Sequence, residues 1–184
     1  MKKIISSLLL LLIVLTGFSQ KITVAEPDFE GQIFYVENNA SLDLEENMYY
    51  SKKGKSIGRM VSGIGKIKAR LVVEENSSPV KIIKKEKLYF VCNYNGANKA
   101  LPSKIIECLK FKSEKNTREY LIATSSNVSG QTNNSQLILE KFKAKKYGEH
   151  SYLIEFTNLA VGEYGFSIGG KNSGKQLYMF SVVQ

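Results

Sequence analysis

From residue 65 to residue 74 apolar and basic positions alternate: Ile67, Ala69, Leu71 and Val73 fall on one side, Lys66, Lys68 and Arg70 on the other. A period of two is the signature of a strand with one face buried and one in water. The same short alternation recurs at 21–25, 32–36, 80–83, 87–93, 105–112, 119–123, 137–143, 152–156, 164–168 and 177–183. These segments are rich in Ile, Val, Tyr and Phe, which suit a pleated, half-buried surface. No stretch keeps a helical stripe, although 42–50 could form a turn of helix.

The separators are turn-formers: Asn38-Asn39, Lys53-Gly54, Asn76-Ser77-Ser78-Pro79, Asn95-Gly96, Ser129-Gly130 and Gly169-Gly170. Residues 95–103 read as one longer loop, and 125–135, built of Ser, Asn, Gly and Thr, as another. Many short strands with regular turns predict an all-β fold, an antiparallel immunoglobulin-like β-sandwich of about 8–11 strands.

The first nineteen residues break this pattern. Lys2 and Lys3 precede an apolar run from Leu8 through Leu15, and Gly17-Phe18-Ser19 supplies small residues for cleavage. This is the three-part layout of a secretory signal peptide, with the mature chain starting at Gln20. The run is short of the roughly 20 residues a membrane span needs. The expectation is an exported protein, periplasmic or at the cell surface, with residues 20–184 as one β-domain.

Removal of Lys2 and Lys3 takes the net charge from +9 to +7. A basic exported protein could favour polyanions such as lipopolysaccharide, acidic glycans or anionic lipid, or simply carry a lysine-rich solvated surface, and export disfavours nucleic acid as a partner. The lysines group as Lys66/Lys68/Arg70, Lys81/Lys84/Lys85/Lys87, Lys110/Lys112 and Lys141/Lys143/Lys145/Lys146. If their strands share a sheet they form a basic binding face, for which Lys66, Lys68 and Arg70 are the first candidates. The alternative is that lysines keep exposed strand edges from pairing with other chains.

Near the end, Leu159-Ala160-Val161-Gly162-Glu163-Tyr164 resembles the L-x-P-G-x-Y pattern of fibronectin type III and related immunoglobulin-like sandwiches, with Val161 in place of Pro. That resemblance implies a tyrosine corner built from Leu159, Gly162 and Tyr164. More broadly, residues 145–183 resemble the closing region of uncharacterised secreted β-sandwich proteins of Gram-negative bacteria. The pieces are Lys146-Tyr147-Gly148-Glu149, Tyr152-Leu153-Ile154, Gly162-Glu163-Tyr164-Gly165-Phe166 and the terminal Leu177-Tyr178-Met179-Phe180-Ser181-Val182. The resemblance implies fold rather than activity, and carries no catalytic residues.

Little in the chain suggests chemistry. Cys92 and Cys108 permit one disulfide, or two buried thiols. They form no C-x-x-C pair, and with a single histidine, His150, they do not make a zinc site. No nucleophile elbow, calcium loop or phosphate loop occurs, so no cofactor or metal is expected. Tyr49-Tyr50 could serve as a stacking surface for a sugar or simply pack. The acidic pairs Asp28/Glu30, Glu45/Glu46 and Glu74/Glu75, with Glu149, leave a carboxylate-dependent hydrolase as the alternative. The leading expectation is a non-enzymatic binding or structural module of the bacterial envelope, contacting protein or glycan.

Overall fold

Phe90 is the hub of the molecule. Its ring lies 5.0 Å from those of Phe166 and Phe180 and 5.8 Å from that of Phe156. These rings come from the two sheets of an all-β architecture. The computed structural model describes residues 22–55, 66–94, 100–126, 132–133, 139–169 and 176–184. The proposed signal segment, the Asn95-Gly96 turn and Ser129-Gly130 lie outside them.

Fourteen strands occur among the described residues. The first sheet contains β1 (Ile33–Glu37), β2 (Ala40–Asp43), β7 (Lys87–Asn93), β11 (Lys143–Tyr147) and β12 (Ser151–Thr157), in the order β11-β12-β7-β1-β2. The second contains β3 (Glu45–Met48), β4 (Tyr50–Lys55), β5 (Lys66–Glu74), β8 (Ile106–Ser113), β9 (Thr117–Ser126), β13 (Gly162–Ile168) and β14 (Gln176–Val183), in the order β3-β14-β13-β8-β9-β5-β4. Two short strands join it at the side: β6 (Lys81–Ile83) runs parallel to β14, and β10 (Thr132–Asn133) pairs with β9. All other pairings are antiparallel.

The inner face of the first sheet (Ile33, Tyr35, Leu88, Phe90, Cys92, Ile154, Phe156) meets one face of the second (Ile106, Cys108, Tyr164, Phe166, Phe180, Val182) in the main core. Alternate residues of the second sheet face the other way. Leu109, Phe111, Leu177 and Met179 pack there against Val73, Tyr120, Tyr49 and Leu71. This second core lies inside the curl of its own sheet. β3 and β4 sit at opposite ends of the strand order, yet Tyr49 alone separates them in the chain. The sheet therefore bends round until its ends nearly meet, making a nearly closed barrel. Gly165 lets Met179 and Phe111 close in on its backbone, since an added Cβ would lie only 3.2 Å from the Phe111 ring.

Sequence period and structure agree best where a strand buries one face. Residues 66–74, 87–93, 106–113, 151–157, 162–168 and 176–183 are strands, close to the expected bounds. Asn38 and Asn39, with φ of 51° and 60°, close the β1–β2 hairpin as a two-residue turn of the kind Asn favours.

The structure corrects other expectations. Residues 42–50 form strands rather than a helical turn, because β2, β3 and β4 each find a pairing partner. Lys53-Gly54 lies within β4 rather than at a turn, held by β5. Residues 22–25 form no strand; they run over the face of the first sheet, where no free edge offers ladder bonds. Of the strand expected over 137–143, residues 137 and 138 lie outside the described residues, Leu139 makes a single bridge to Leu109, 140–142 form no strand and β11 starts at Lys143. Within the expected loop at 95–103 and just beyond it, Pro102 opens a one-turn helix, α1 (Pro102–Ile105). Within 125–135, Thr132 and Asn133 pair back onto β9.

Cys92 and Cys108 are free thiols, both buried in the main core. Burial pushes the Cys92 thiol up to about 12, and raises that of Cys108 well above its usual range. Neither has the electropositive, open setting a reactive thiolate needs.

Candidate functional site

The outer face of the first sheet is assembled by register. Directly opposed residues of neighbouring strands point to the same side. Lys143 on β11 opposes Glu155 on β12, which opposes Tyr89 on β7. One rung along, Lys145 opposes Leu153, which opposes Val91. Phe34 and Val36 of β1 complete an apolar strip with Val91 and Leu153.

The segment 22–27 covers part of that strip as a strap, packing Ile22 and Val24 against it. Its ties are polar. The Thr23 amide donates to Asn39 Oδ1 at 3.2 Å, Asn93 Nδ2 donates to the Pro27 carbonyl at 2.6 Å, and the Tyr147 hydroxyl donates to the Val24 carbonyl. At the β11–β12 turn, where Gly148 has φ of 60°, the two Glu26 oxygens accept from the Glu149 and His150 amides at 2.8 and 2.9 Å. Partial burial alone would raise the Glu26 carboxyl. Those two amides and the His150 charge help outweigh it and hold the group below its ordinary value.

Between the strap and β11, β12 and β7 lies a groove of about 690 Å³. Its lining includes Lys87, Lys143, Lys145 and Lys146, with the rings of Tyr89 and Tyr147 as flat walls. The volume lies within the span usual for ligand sites. Lys87 pairs with Glu155 at 3.5 Å. Lys143 and Lys145 are exposed and form no ion pair among the described residues. Lys87, Lys143 and Lys145 share this face, whereas Lys146 opposes the core residue Tyr152 and lies on the other side of its strand. Three ammonium groups against the Glu155 carboxylate leave the groove positive, suited to a ligand that brings negative charge and a surface to lie against the tyrosines.

The other basic groups do not join it. Lys66, Lys68 and Arg70 lie on β5, in the other sheet; Arg70 pairs with Glu119 at 3.1 Å, and the side chains of Lys66 and Lys68 are outside the described residues. Lys85 is bound to Glu37 and Lys112 to Glu114, while Lys110 sits over the Tyr164 ring, 5.6 Å from its centre. Of the grouped basic residues whose side chains are described, Lys87, Lys143 and Lys145 are the ones that converge. Sequence reading named these lysines but could not assemble them, because the pairing of β7 and β11 on either side of β12 is a property of the sheet.

The acidic candidates are scattered among different tasks. Glu45 binds Arg118, Glu46 accepts from Gln176 Nε2 at 3.0 Å, and Glu149 lies exposed beside His150. Glu74 and Glu75 line a separate shallow hollow with Asn76, Lys115 and Asn116. Tyr49 packs into the second core, and Tyr50 is part-exposed on β4. At the corner between β12 and β13, Leu159 is buried and the Tyr164 hydroxyl donates to the Ala160 carbonyl at 2.7 Å. No helix among the described residues is long and apolar enough to cross a membrane. No protein-family model matches the chain, and no curated protein matches it in sequence.

Proposed function

We propose that this chain is an exported, non-enzymatic module of immunoglobulin-like fold that binds an anionic polymer of the bacterial envelope in the groove beneath its N-terminal strap. The convergence of Lys87, Lys143 and Lys145 with Tyr89 and Tyr147 carries the reading. Export rests on the Lys2-Lys3 start, the apolar run and the small residues at 17 and 19.

The strand order supports the fold assignment. Setting aside β2 to β5, the order β11-β12-β7-β1 corresponds to the D-E-B-A sheet of an immunoglobulin-type sandwich, and β14-β13-β8 to its G-F-C sheet. β9 beside β8 and β6 parallel to β14 then take the places of an added C′ strand and a split first strand. The hydroxyl bond of Tyr164, near the start of the strand in the F position, is the geometry of a tyrosine corner. Phe90 and Phe166, in the B and F positions, fill the space between sheets by ring contact.

Retention on immobilised lipopolysaccharide or polygalacturonate at low ionic strength tests the function. Reversal of Lys143 and Lys145 to Glu should abolish retention, and reversal of Lys66, Lys68 and Arg70 should leave most of it. Equal retention of the Lys143→Glu/Lys145→Glu protein and the parent overturns the proposal.

A further inference from the structure

Resting on that reading, we infer that the groove selects an acidic polysaccharide of the uronate type, carrying carboxylates and free hydroxyls, over polyanions that carry charge but no hydroxyls, and that Glu155 sets this preference. The carboxylate stands at the middle of the basic lining. It opposes Lys143 on one strand and Tyr89 on the other, and its oxygen lies 3.5 Å from Lys87 Nζ. Its side chain keeps 25% of its surface exposed, so a ligand in the groove meets it.

A groove built only to hold negative charge has no use for an anion at its centre. A phosphate or sulfate pressed against Glu155 repels it at short range and competes for Lys87. A sugar hydroxyl does the reverse, donating a charge-assisted hydrogen bond into the carboxylate. The half-buried Tyr89 ring beside Glu155 offers a flat apolar surface to the face of a sugar ring. Lys143 and Lys145, two residues apart on one strand and so about 7 Å apart, receive acidic groups from neighbouring positions of a polymer. The lining thus asks for negative charge at its rim and hydroxyls at its centre. A polyuronate meets both demands; polyphosphate meets only the first.

Titration calorimetry of the purified protein with polygalacturonate, inorganic polyphosphate and dextran, at matched low ionic strength, separates the possibilities. Polygalacturonate should bind at least tenfold more tightly than polyphosphate per charged group, and dextran should not bind. Glu155→Gln should raise polyphosphate affinity about fivefold and shrink the preference. Glu155→Thr, a strand-favouring replacement, should do the same and guards against a fold defect in either variant. Equal affinity for the two polyanions, or a preference unchanged in both variants, overturns the selectivity and leaves the binding groove standing. Failure of both polyanions to bind overturns the proposed function itself, and this inference with it.

Discussion

Arg118 on β9 and Glu45 on β3 meet inside the curled sheet as a two-bonded pair, Nη1 and Nη2 reaching the two carboxylate oxygens at 2.7 and 2.8 Å. The guanidinium is fully buried, and Nε and Nη2 also donate to the Glu75 and Glu74 carbonyls at 3.2 and 3.1 Å. One side chain thereby ties β9, the end of β5 and the far edge strand β3. Ladder pairing ends at β3 and β4, and this pair helps draw the sheet's ends together.

Removing one partner strands the other in the interior. Arg118→Leu should cost about 3–5 kcal/mol, since it leaves a largely buried carboxylate without its counter-charge and takes the guanidinium donors from two carbonyls. Arg118→Lys should recover little, because an ammonium cannot make the two parallel bonds. The double variant Arg118→Met/Glu45→Leu should be more stable than Arg118→Leu alone. Urea unfolding followed by tyrosine fluorescence measures all three.

The same pair makes the fold acid-sensitive. Burial alone would raise the Glu45 carboxyl; hydrogen bonds from Arg118, Ser78 and Asn47 and the Arg118 charge outweigh that and hold it below its ordinary value of 4.5. A lowered folded value means the unfolded chain binds the proton more readily. The stabilisation is therefore complete above about pH 4.5 and is lost as pH falls through the lower, folded value. Unfolding curves from pH 6 to pH 3 should show this loss, and Glu45→Gln should show a shallower acid slope.

At the β12–β13 corner, Tyr164→Phe keeps the packing of a fully buried ring and removes only the bond to the Ala160 carbonyl. The expected cost is about 1 kcal/mol. A melting temperature unchanged within error would show that the bond contributes nothing and that the corner is held by packing alone.

A clamp centred on buried Glu163 ties β13 to β14 and to the segment before β6. Glu163 accepts from the Ser181 hydroxyl at 2.6 Å, the Ser77 hydroxyl at 3.1 Å and the Ser78 amide at 2.9 Å. Lys81 donates to Ser181 at 3.0 Å and to Ser77, so its charge reaches Glu163 through the two hydroxyls. Glu163→Ala should destabilise by about 1–3 kcal/mol and speed amide exchange at Ser78.

Both thiols should be silent in the folded state. With Cys92 raised to about 12 and Cys108 higher than usual, neither is a thiolate at pH 8. A disulfide-exchange thiol reagent should modify no cysteine in the native protein and two after denaturation. Rapid modification of the native protein would contradict the burial described for them.

The strap offers a local test. Glu26→Ala removes the acceptor for the Glu149 and His150 amides and should loosen residues 22–27 without unfolding the sheets. Hydrogen exchange should rise at Glu149 and His150, and affinity for polygalacturonate should fall severalfold as the groove loses a wall.

The sequence by itself determined the strands that bury one face, such as 66–74, 87–93 and 176–183, because the alternation is written in consecutive residues. It also marked the Asn38-Asn39 turn, where local chemistry favours positive φ. Residues 42–55 misled, since exposed strands such as β2 carry no alternation and exist only through their partners. Tertiary structure alone decided that Arg118 meets Glu45, that Lys87 joins Lys143 and Lys145, and that residues 22–27 lie over a sheet face. Each depends on which strands become neighbours and in what register. A shift of one residue would turn Lys143, Glu155 and Tyr89 onto different faces, so the groove is a property of pairing between distant segments.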